Sequence, residues 1–385
     1  MHRNFIVPNL LPSPSDPHAV ALDQSGKLRK YFSGTRRPIK GIAPERQARQ
    51  PAFMLANVLA GRTLSLYRYE CARFALSPVF EKWVMGQSQA GDHLIAGLGY
   101  FNRLSPQIQA AGGKVFLDAR NSHPSSFWSL CAEEHARWDC PLPPIWPRHH
   151  LRQQRSVALA DYIFAPSRFV ADSFVERGFP AEKVLRLPYP VDLSLFKPSA
   201  SKRPRERPLT ICSSGLLTLR KGSPYLFEAF KLIRKEVPNA RLKLIRKISS
   251  NFQPVFEKQG YDRLDVEWSP KLPHAELTHW LQSSDIFLLP TIEEGMVRSA
   301  AEALGCGLPV ITTRNAGVDD FIQEGANGSI VPIRDPQAIA NAVLRWWEKI
   351  QSGQYDPVSA ALDREAIGMR AFERMFAQHL ANVGL

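Results

Sequence analysis

Short runs of β-branched, aliphatic and aromatic residues alternate with stretches of helical period along most of this chain. Residues 5–8 predict a strand, 10–17 a loop rich in Pro and Ser, 19–24 a helix stopped by Gly26, and 28–33 a second extended run. Residues 52–84 predict a long helical region in which aromatic and basic side chains interleave (Phe53, Tyr67, Arg68, Phe74, Phe80, Trp83). Such a stripe fits a core-facing helix better than a membrane-touching one. From there the rhythm is regular: strand 93–98, helix 102–111 closed by Gly112-Gly113, strand 115–118, a stiff Pro-rich break at 141–147, a helix, strand 162–165, helix 168–177 capped by Ser167, and strand 184–187.

Residues 198–208 are polar, basic and Pro-rich, and they interrupt this pattern once. The rhythm then restarts, with strands at 209–213, 241–245, 286–289, 310–313 and 329–332. Helices are expected at 224–236, 274–283, 297–304, 319–323 and 336–349. Strands alternating with helices at this pace predict parallel sheets covered on both faces. The expected fold is therefore α/β, with two Rossmann-like doubly wound domains facing across a cleft. The first spans 1–197 and the second 209–362, joined by the linker 198–208. A last helix near 363–381 is placed to cross back onto the first domain.

Composition changes this picture little: 44% hydrophobic and 22% charged residues are ordinary for globular domains. No apolar run is long enough to span a bilayer, and the N-terminal apolar stretch is too short for a secretory signal. Five scattered cysteines point to free thiols in a reducing compartment, hence a cytoplasmic protein. Cys131, His135 and Cys140 lack zinc-ligand spacing, and no carboxylate cluster suggests another metal, so no metal is expected. Charge adds more. The net +13 implies an acidic partner, and Lys27, Arg29, Lys30, Arg36, Arg37, Lys40, Arg46 and Arg49 face only Glu45 within residues 27–50. That run fits a solvated basic face or a patch turned toward an anionic membrane surface. No helix-turn-helix, zinc finger or RNA-binding aromatic signature supports nucleic acid as the partner.

The candidate chemistry lies in the second half. An apolar strand at 286–289 runs into Pro290-Thr291-Ile292-Glu293-Glu294-Gly295 and then a helix. The first amides of a helix lack internal partners and carry partial positive charge, which suits a diphosphate. Gly295 permits close backbone approach. Glu302, about two turns on, can accept hydrogen bonds from a vicinal diol, and Glu294 can do the same for sugar hydroxyls. A second loop, from Gly215 to Arg220-Lys221-Gly222, follows another strand of the same domain and brings two cations suited to a pyrophosphate. Taken singly, either loop is equally a solvated turn.

The segment Glu294-Gly295-Met296-Val297-Arg298-Ser299-Ala300-Ala301-Glu302, continued through Gly307-Leu308-Pro309-Val310, resembles the Glu-x7-Glu region of glycosyltransferase family 4, a retaining group with the GT-B fold. Gly215 with Lys221-Gly222, Ala160-Asp161-Tyr162-Ile163 with Ser167, Val191-Asp192 with Phe196, and Gly317, Gly325 and Asn327-Gly328 are similar too. The resemblance covers roughly residues 115–345. It implies a nucleotide-sugar donor, with Arg220 and Lys221 on the diphosphate, Glu302 on the ribose, Glu294 on the transferred sugar, and the backbone of Gly295, Met296 and Val297 beside sugar and phosphates. It also implies a cleft histidine at His123, a position that equally fits a loop histidine without a role, whereas His149 and His150 read as helix-surface residues.

Three departures stand out. Leu216 replaces the usual Arg after the loop glycine, which shifts weight to Arg220. Tyr189-Pro190 replaces Asn-Gly before Val191-Asp192, which predicts a stiffer interdomain turn. Ser13-Pro14-Ser15 stands where a Gly-Gly pair normally follows the first strand. The expected activity is transfer of a hexose-type sugar to a hydroxyl acceptor, lipid-linked or saccharide, with the catalytic set Glu294, His123 and Lys221. Cell-envelope polysaccharide or glycolipid synthesis on the inner face of the membrane is the setting this implies. Two alternatives remain from the residues alone: a nucleotide-sugar hydrolase or epimerase, and a basic non-catalytic surface binder.

Overall fold

A computed structural model describes residues 4–10, 16–34, 38–50, 53, 66–200, 206–245 and 248–385. Two parallel sheets form, one in each half of the chain. The first contains β1 (Phe5–Asn9), β2 (Leu28–Ser33), β3 (Gln47–Arg49), β4 (His93–Gly97), β5 (Val115–Asp118), β6 (Tyr162–Ala165) and β7 (Val184–Arg186), in the order β3-β2-β1-β4-β5-β6-β7. Helices α1 (Pro17–Gln24), α2 (Leu66–Met85), α3 (Leu104–Ala110), α4 (Pro124–Arg137), α5 (Trp146–Ala158) and α6 (Arg168–Val175) cover it.

The second sheet contains β8 (Thr210–Ser214), β9 (Arg241–Ile245), β10 (Val266–Ser269), β11 (Ile286–Leu289), β12 (Val310–Thr313) and β13 (Gly328–Val331), ordered β10-β9-β8-β11-β12-β13. It is flanked by α7 (Ser223–Glu236), α8 (Gln253–Lys258), α9 (His274–Gln282), α10 (Arg298–Gly305) and α11 (Pro336–Gln351). In each sheet the strand order reverses beside the first strand, between β1 and β4 and between β8 and β11. Crevices form at such switch points, outside the carboxyl ends of the strands.

Most elements lie where the hydrophobic rhythm placed them. β5, β11 and β12 are buried along their length, and β6 is buried after the half-buried Tyr162, as apolar runs in a doubly covered parallel sheet must be. Ser167 caps α6 by accepting from the Val170 amide at 3.3 Å. On α2, Phe80 and Val84 are fully buried, and Phe53 packs on Phe80, so the C-terminal part of this stripe faces the core, while Phe74 is half-buried. The basic run at 27–50 is built into the sheet edge. Arg29 pairs with Asp92 at 2.6 Å and Arg46 with Asp23 at 2.9 Å, while Arg36 and Arg37 lie outside the described residues. Ser13-Pro14-Ser15 lies outside them too.

Elsewhere the structure departs from the expectation. β3, α4, α8 and β10 are additional elements, short or weakly apolar enough to escape periodicity. The helix expected at 319–323 is one 3₁₀ turn, Asp319–Phe321. The tail after α11 holds a short helix α12 (Pro357–Ala360), then α13 (Arg364–Ile367) and α14 (Met369–Asn382), separated at Gly368. On α14, Phe372, Phe376 and Leu380 pack into the first domain's core with Phe5, Leu22, Phe116 and Phe164. The chain therefore crosses the cleft twice, and α14 clamps the first sheet. Phe376→Ala is expected to cost about 3–5 kcal/mol, as other buried Phe truncations do. Urea unfolding of the variant checks this, and a loss below about 1 kcal/mol would show that α14 is not part of that core.

Candidate functional site

The two loops at the second switch point are laced together. The Arg220 carbonyl accepts from the Ile292 amide at 2.9 Å and from Thr291 Oγ1 at 3.1 Å. Gly222 has φ +67°, and a Cβ there would lie 1.8 Å from the Pro290 carbonyl oxygen. Glycine thus meets both the backbone conformation and the close approach that bring the β8 loop onto the end of β11. Within the loop, the Lys221 amide donates to Thr218 Oγ1 at 3.1 Å and Gly215 lies under the Lys221 side chain.

This lacing gathers four charged side chains. Arg220 Nη1 meets Glu293 Oε2 at 3.1 Å, and Nη2 meets Glu294 Oε1 at 3.1 Å; Lys221 Nζ lies 2.8 Å from the same Glu294 oxygen. Burial pushes the Glu294 carboxyl up, but the Arg220 and Lys221 cations override it and hold the group below the usual carboxylate value. Burial pulls Arg220 down, and Glu294 and Glu293 more than reverse that. Two cations thus flank the Glu294 carboxylate at the mouth of the crevice. The Glu294 amide donates to the Asn315 carbonyl at 3.0 Å, which holds the loop from its other side.

α10 begins at Arg298, one residue later than its sequence predicts. Met296 and Val297 bury their side chains in the hydrophobic cluster beneath α10, so only backbone is left to face the crevice. The Val297 amide is already used by the Ala316 carbonyl at 3.1 Å, which leaves the amides of Arg298 and Ser299 as first-turn donors without intrahelical partners. A Cβ on Gly295 would lie 1.9 Å from the Arg120 carbonyl oxygen, and the Gly295 carbonyl accepts from Ser167 Oγ at 2.8 Å. The close approach that this glycine permits is thus made by the first domain. Glu302 sits in the second turn of α10, half-buried; burial lifts its carboxyl to about 7, with Arg298 opposing weakly.

Opposite, the carboxyl ends of β1, β4 and β5 line a cavity of about 420 Å³ that reaches Arg220. Asp118, at the end of β5, is bonded by Arg120 Nε at 2.9 Å and by Tyr189 Oη at 2.5 Å. The departure at Tyr189 thus ties the interdomain turn to the first sheet. His123 caps α4: its Nδ1 accepts from the Ser125 amide at 3.1 Å, its amide donates to Ser173 Oγ at 2.8 Å, and its ring packs on Phe174. Burial, then Arg177 and His150, lower it to about 4. A neutral ring with Nδ1 occupied can offer only Nε2–H. His149 and His150 are not plain surface residues: both line the cavity, where His150 meets Trp128 at a tilt and His149 meets Phe74 and Tyr100 edge-on. They face the cleft because α5 lies along the cavity wall, which a local pattern does not reveal.

The structure gathers Gly215, Arg220, Lys221, Glu294 and Gly295 around one crevice, while His123 stands behind Asn121 and Ser122. Sequence reasoning missed Glu293, Asp118 and Arg120. The doubled Glu293-Glu294 and a strand-terminal Asp118 were the available signals. No group of three His, Cys, Asp or Glu side chains suited to a metal occurs among the described residues. His135 Nδ1 instead bonds the Cys140 and Pro141 carbonyls.

Comparison with known proteins fits this geometry. Residues 207–349 match the family model described as Glycosyl transferases group 1. The D-inositol 3-phosphate glycosyltransferase of Paenarthrobacter aurescens is 28% identical over 229 residues, 56% of this chain and 56% of that protein. The amylovoran biosynthesis glycosyltransferase AmsK of Erwinia amylovora is 27% identical over 247 residues, 62% and 58% of the two chains. The match thus spans little more than half the length of these curated relatives. Sucrose-phosphate synthase from Thermosynechococcus elongatus superposes over 99% of both chains with TM-score 0.68 at 16% identity. Anabaena HepE, solved in complex with UDP and glucose, does so over 99% of this chain and 100% of its own, with TM-score 0.68 at 15% identity. At such identity the likeness establishes the fold, which is GT-B.

Glu302 gives a direct test of this local chemistry. Its folded value of about 7 lies above its ordinary value of 4.5, so the folded state holds the proton more tightly than the unfolded chain. The wild type should therefore lose stability as pH rises from about 4.5 to about 7, and Glu302→Gln should not. The melting temperature of the variant relative to wild type is expected to climb across that window and to level above about pH 8. A difference independent of pH would show that Glu302 is not strained by burial.

Proposed function

Because residues 207–349 match the family model of the group 1 glycosyl transferases and the whole chain has the GT-B fold, we propose that this protein moves a sugar from a nucleotide-diphosphate donor to a hydroxyl acceptor, with retained anomeric configuration. The observation that carries this reading is the cluster Arg220–Lys221–Glu294 at the second switch point, facing a cavity built by the first domain. Lys221 and the Arg220 fork take the diphosphate, aided by the Arg298 and Ser299 amides. Glu294 accepts from sugar hydroxyls, and Glu302 from the ribose diol. His123 contributes Nε2–H toward the sugar.

In the reaction the bond from the anomeric carbon to the diphosphate oxygen breaks, and its electron pair stays on the phosphate. A bond from the acceptor oxygen to that carbon forms on the same face, and the acceptor proton passes to a phosphate oxygen. The main demand is stabilisation of charge on the departing diphosphate, and the two fixed cations meet it without reorganising. The fit of donor loops to a closed cleft favours transfer over hydrolysis, since closure excludes water.

The acceptor is a saccharide or a lipid-linked hydroxyl compound, consistent with relatives named as an amylovoran biosynthesis glycosyltransferase and a phosphatidylinositol monomannoside mannosyltransferase. A cytoplasmic protein held peripherally at a membrane suits that role. Among the described residues no helix is long and apolar enough to cross a membrane. The +13 charge and the exposed Lys40, with the half-buried Lys27, provide attraction to an anionic surface.

Thermal shift with UDP- and GDP-sugars, followed by mass-spectrometric turnover, tests the reading. One nucleotide class is expected to stabilise the protein. Lys221→Ala and Glu294→Gln are each expected to lower kcat by about 10²–10³-fold. Stabilisation by no nucleotide, with salt-sensitive DNA or vesicle binding instead, would favour the surface-binder reading; release of free sugar regardless of acceptor would favour the hydrolase. The charge comes from Lys221 and Arg220, so turnover is expected to persist in EDTA, and its loss would show that the donor needs a divalent cation.

A further inference from the structure

Glu293 has no part in the roles assigned so far, yet its side chain is wholly buried in the cleft. Its four hydrogen-bond donors come from both domains. Oε1 accepts from the Ser122 amide at 2.9 Å and from Ser122 Oγ at 3.0 Å. Oε2 accepts from Asn121 Nδ2 at 3.0 Å and from Arg220 Nη1 at 3.1 Å. Arg220 Nη1 also donates to the Glu293 carbonyl at 2.9 Å, and its Nη2 reaches Glu294. Both ends of the guanidinium fork are therefore held, and its plane is set by the carboxylate beside the catalytic one. Asn121 and Ser122 follow β5 and line the cavity of the first domain.

We propose that Glu293 is a positioning residue that makes the orientation of Arg220, and so the stabilisation of the donor diphosphate, conditional on the first domain being docked. A buried carboxylate is tolerated when its lone pairs are met. If the first domain moves away, Glu293 loses three of its four donors and keeps only Arg220. It then competes for that cation as a closer, poorly satisfied partner, and Arg220 no longer presents a fixed fork to the phosphates. When the loop 119–123 returns, Ser122 and Asn121 share the charge. The acceptor-side wall and the donor cation are thus completed by one set of hydrogen bonds, so a donor bound in an undocked cleft is poorly activated. The close contact of Gly295 with the Arg120 carbonyl lies directly alongside and seats the same two loops.

This inference rests on the donor-site reading above, and the experiment separates the two. Glu293→Gln keeps size and shape but loses charge and must point an amide at a donor; Ser122→Ala removes one bond from the other domain and is the milder change. Expected are roughly tenfold or greater losses in kcat for Glu293→Gln, a change within threefold in the Kd of the matching nucleoside diphosphate, and clearly less-than-additive losses when the two are combined. Small-angle scattering should give Glu293→Gln a larger radius of gyration than wild type, whatever the reaction. Additive losses, or a Glu293→Gln enzyme with wild-type kcat, would overturn the inference while leaving the transferase reading intact. A radius of gyration unchanged in both variants would overturn the docking role. Wild-type protein that neither binds nor turns over any nucleotide sugar, yet expands with Glu293→Gln, would retain the docking role and overturn the transferase reading.

Discussion

Taking a carboxylate out of water costs several kcal/mol unless hydrogen bonds and counter-charges replace the hydration shell. At the centre of this protein two adjacent carboxylates, Glu293 and Glu294, meet that requirement with one guanidinium between them, one ammonium, and three donors from the opposite domain. Much else is arranged around that need. Gly222 lets the cation loop touch the end of β11, Gly295 lets the carboxylate loop touch the first domain, and Tyr189 ties the interdomain turn to Asp118. Remove the cations and the carboxylates cannot stay buried; remove the close approaches and the cations cannot reach them.

The same principle recurs elsewhere along the interface. Arg334 pairs with Glu133 at 2.8 Å and with the fully buried Glu134, whose other oxygen accepts from Tyr225 Oη at 2.8 Å. Arg168 and Arg186 converge on Asp320. Charged pairs of this kind are reversible under modest differential binding energy, unlike a fused apolar core. The apolar clamp lies elsewhere, where α14 covers the first sheet. An interface that is polar at the cleft and apolar at the tail suits two domains that stay tethered while their facing surfaces dock and part.

The doubly wound sheets were legible in the linear chain because their strands are buried on both faces and therefore read as unbroken apolar runs, as at 115–118, 162–165, 286–289 and 310–313. The weaker elements were not: β10 has exposed Glu267 and Trp268, and β3 is three residues at an edge. Around the crevice, the cluster of Arg220, Lys221 and Glu294 was legible from charge beside glycine at strand ends. The placement of His149 and His150 was not, since whether a helix faces solvent or a cleft depends on what packs across from it.

What the sequence determined by itself was the local grammar: which segments are strands, and where their carboxyl-terminal loops carry charge. Periodicity and turn chemistry act over a few residues, so they survive in the linear order. What only the tertiary structure decided was partnership across about 170 residues of chain, as between Ser122 and Glu293. The same glutamate would be an ordinary surface carboxylate if the first domain were not there to supply its donors. Hydrogen bonds and ion pairs depend on ångström-scale approach, and that approach is set by how the two sheets dock.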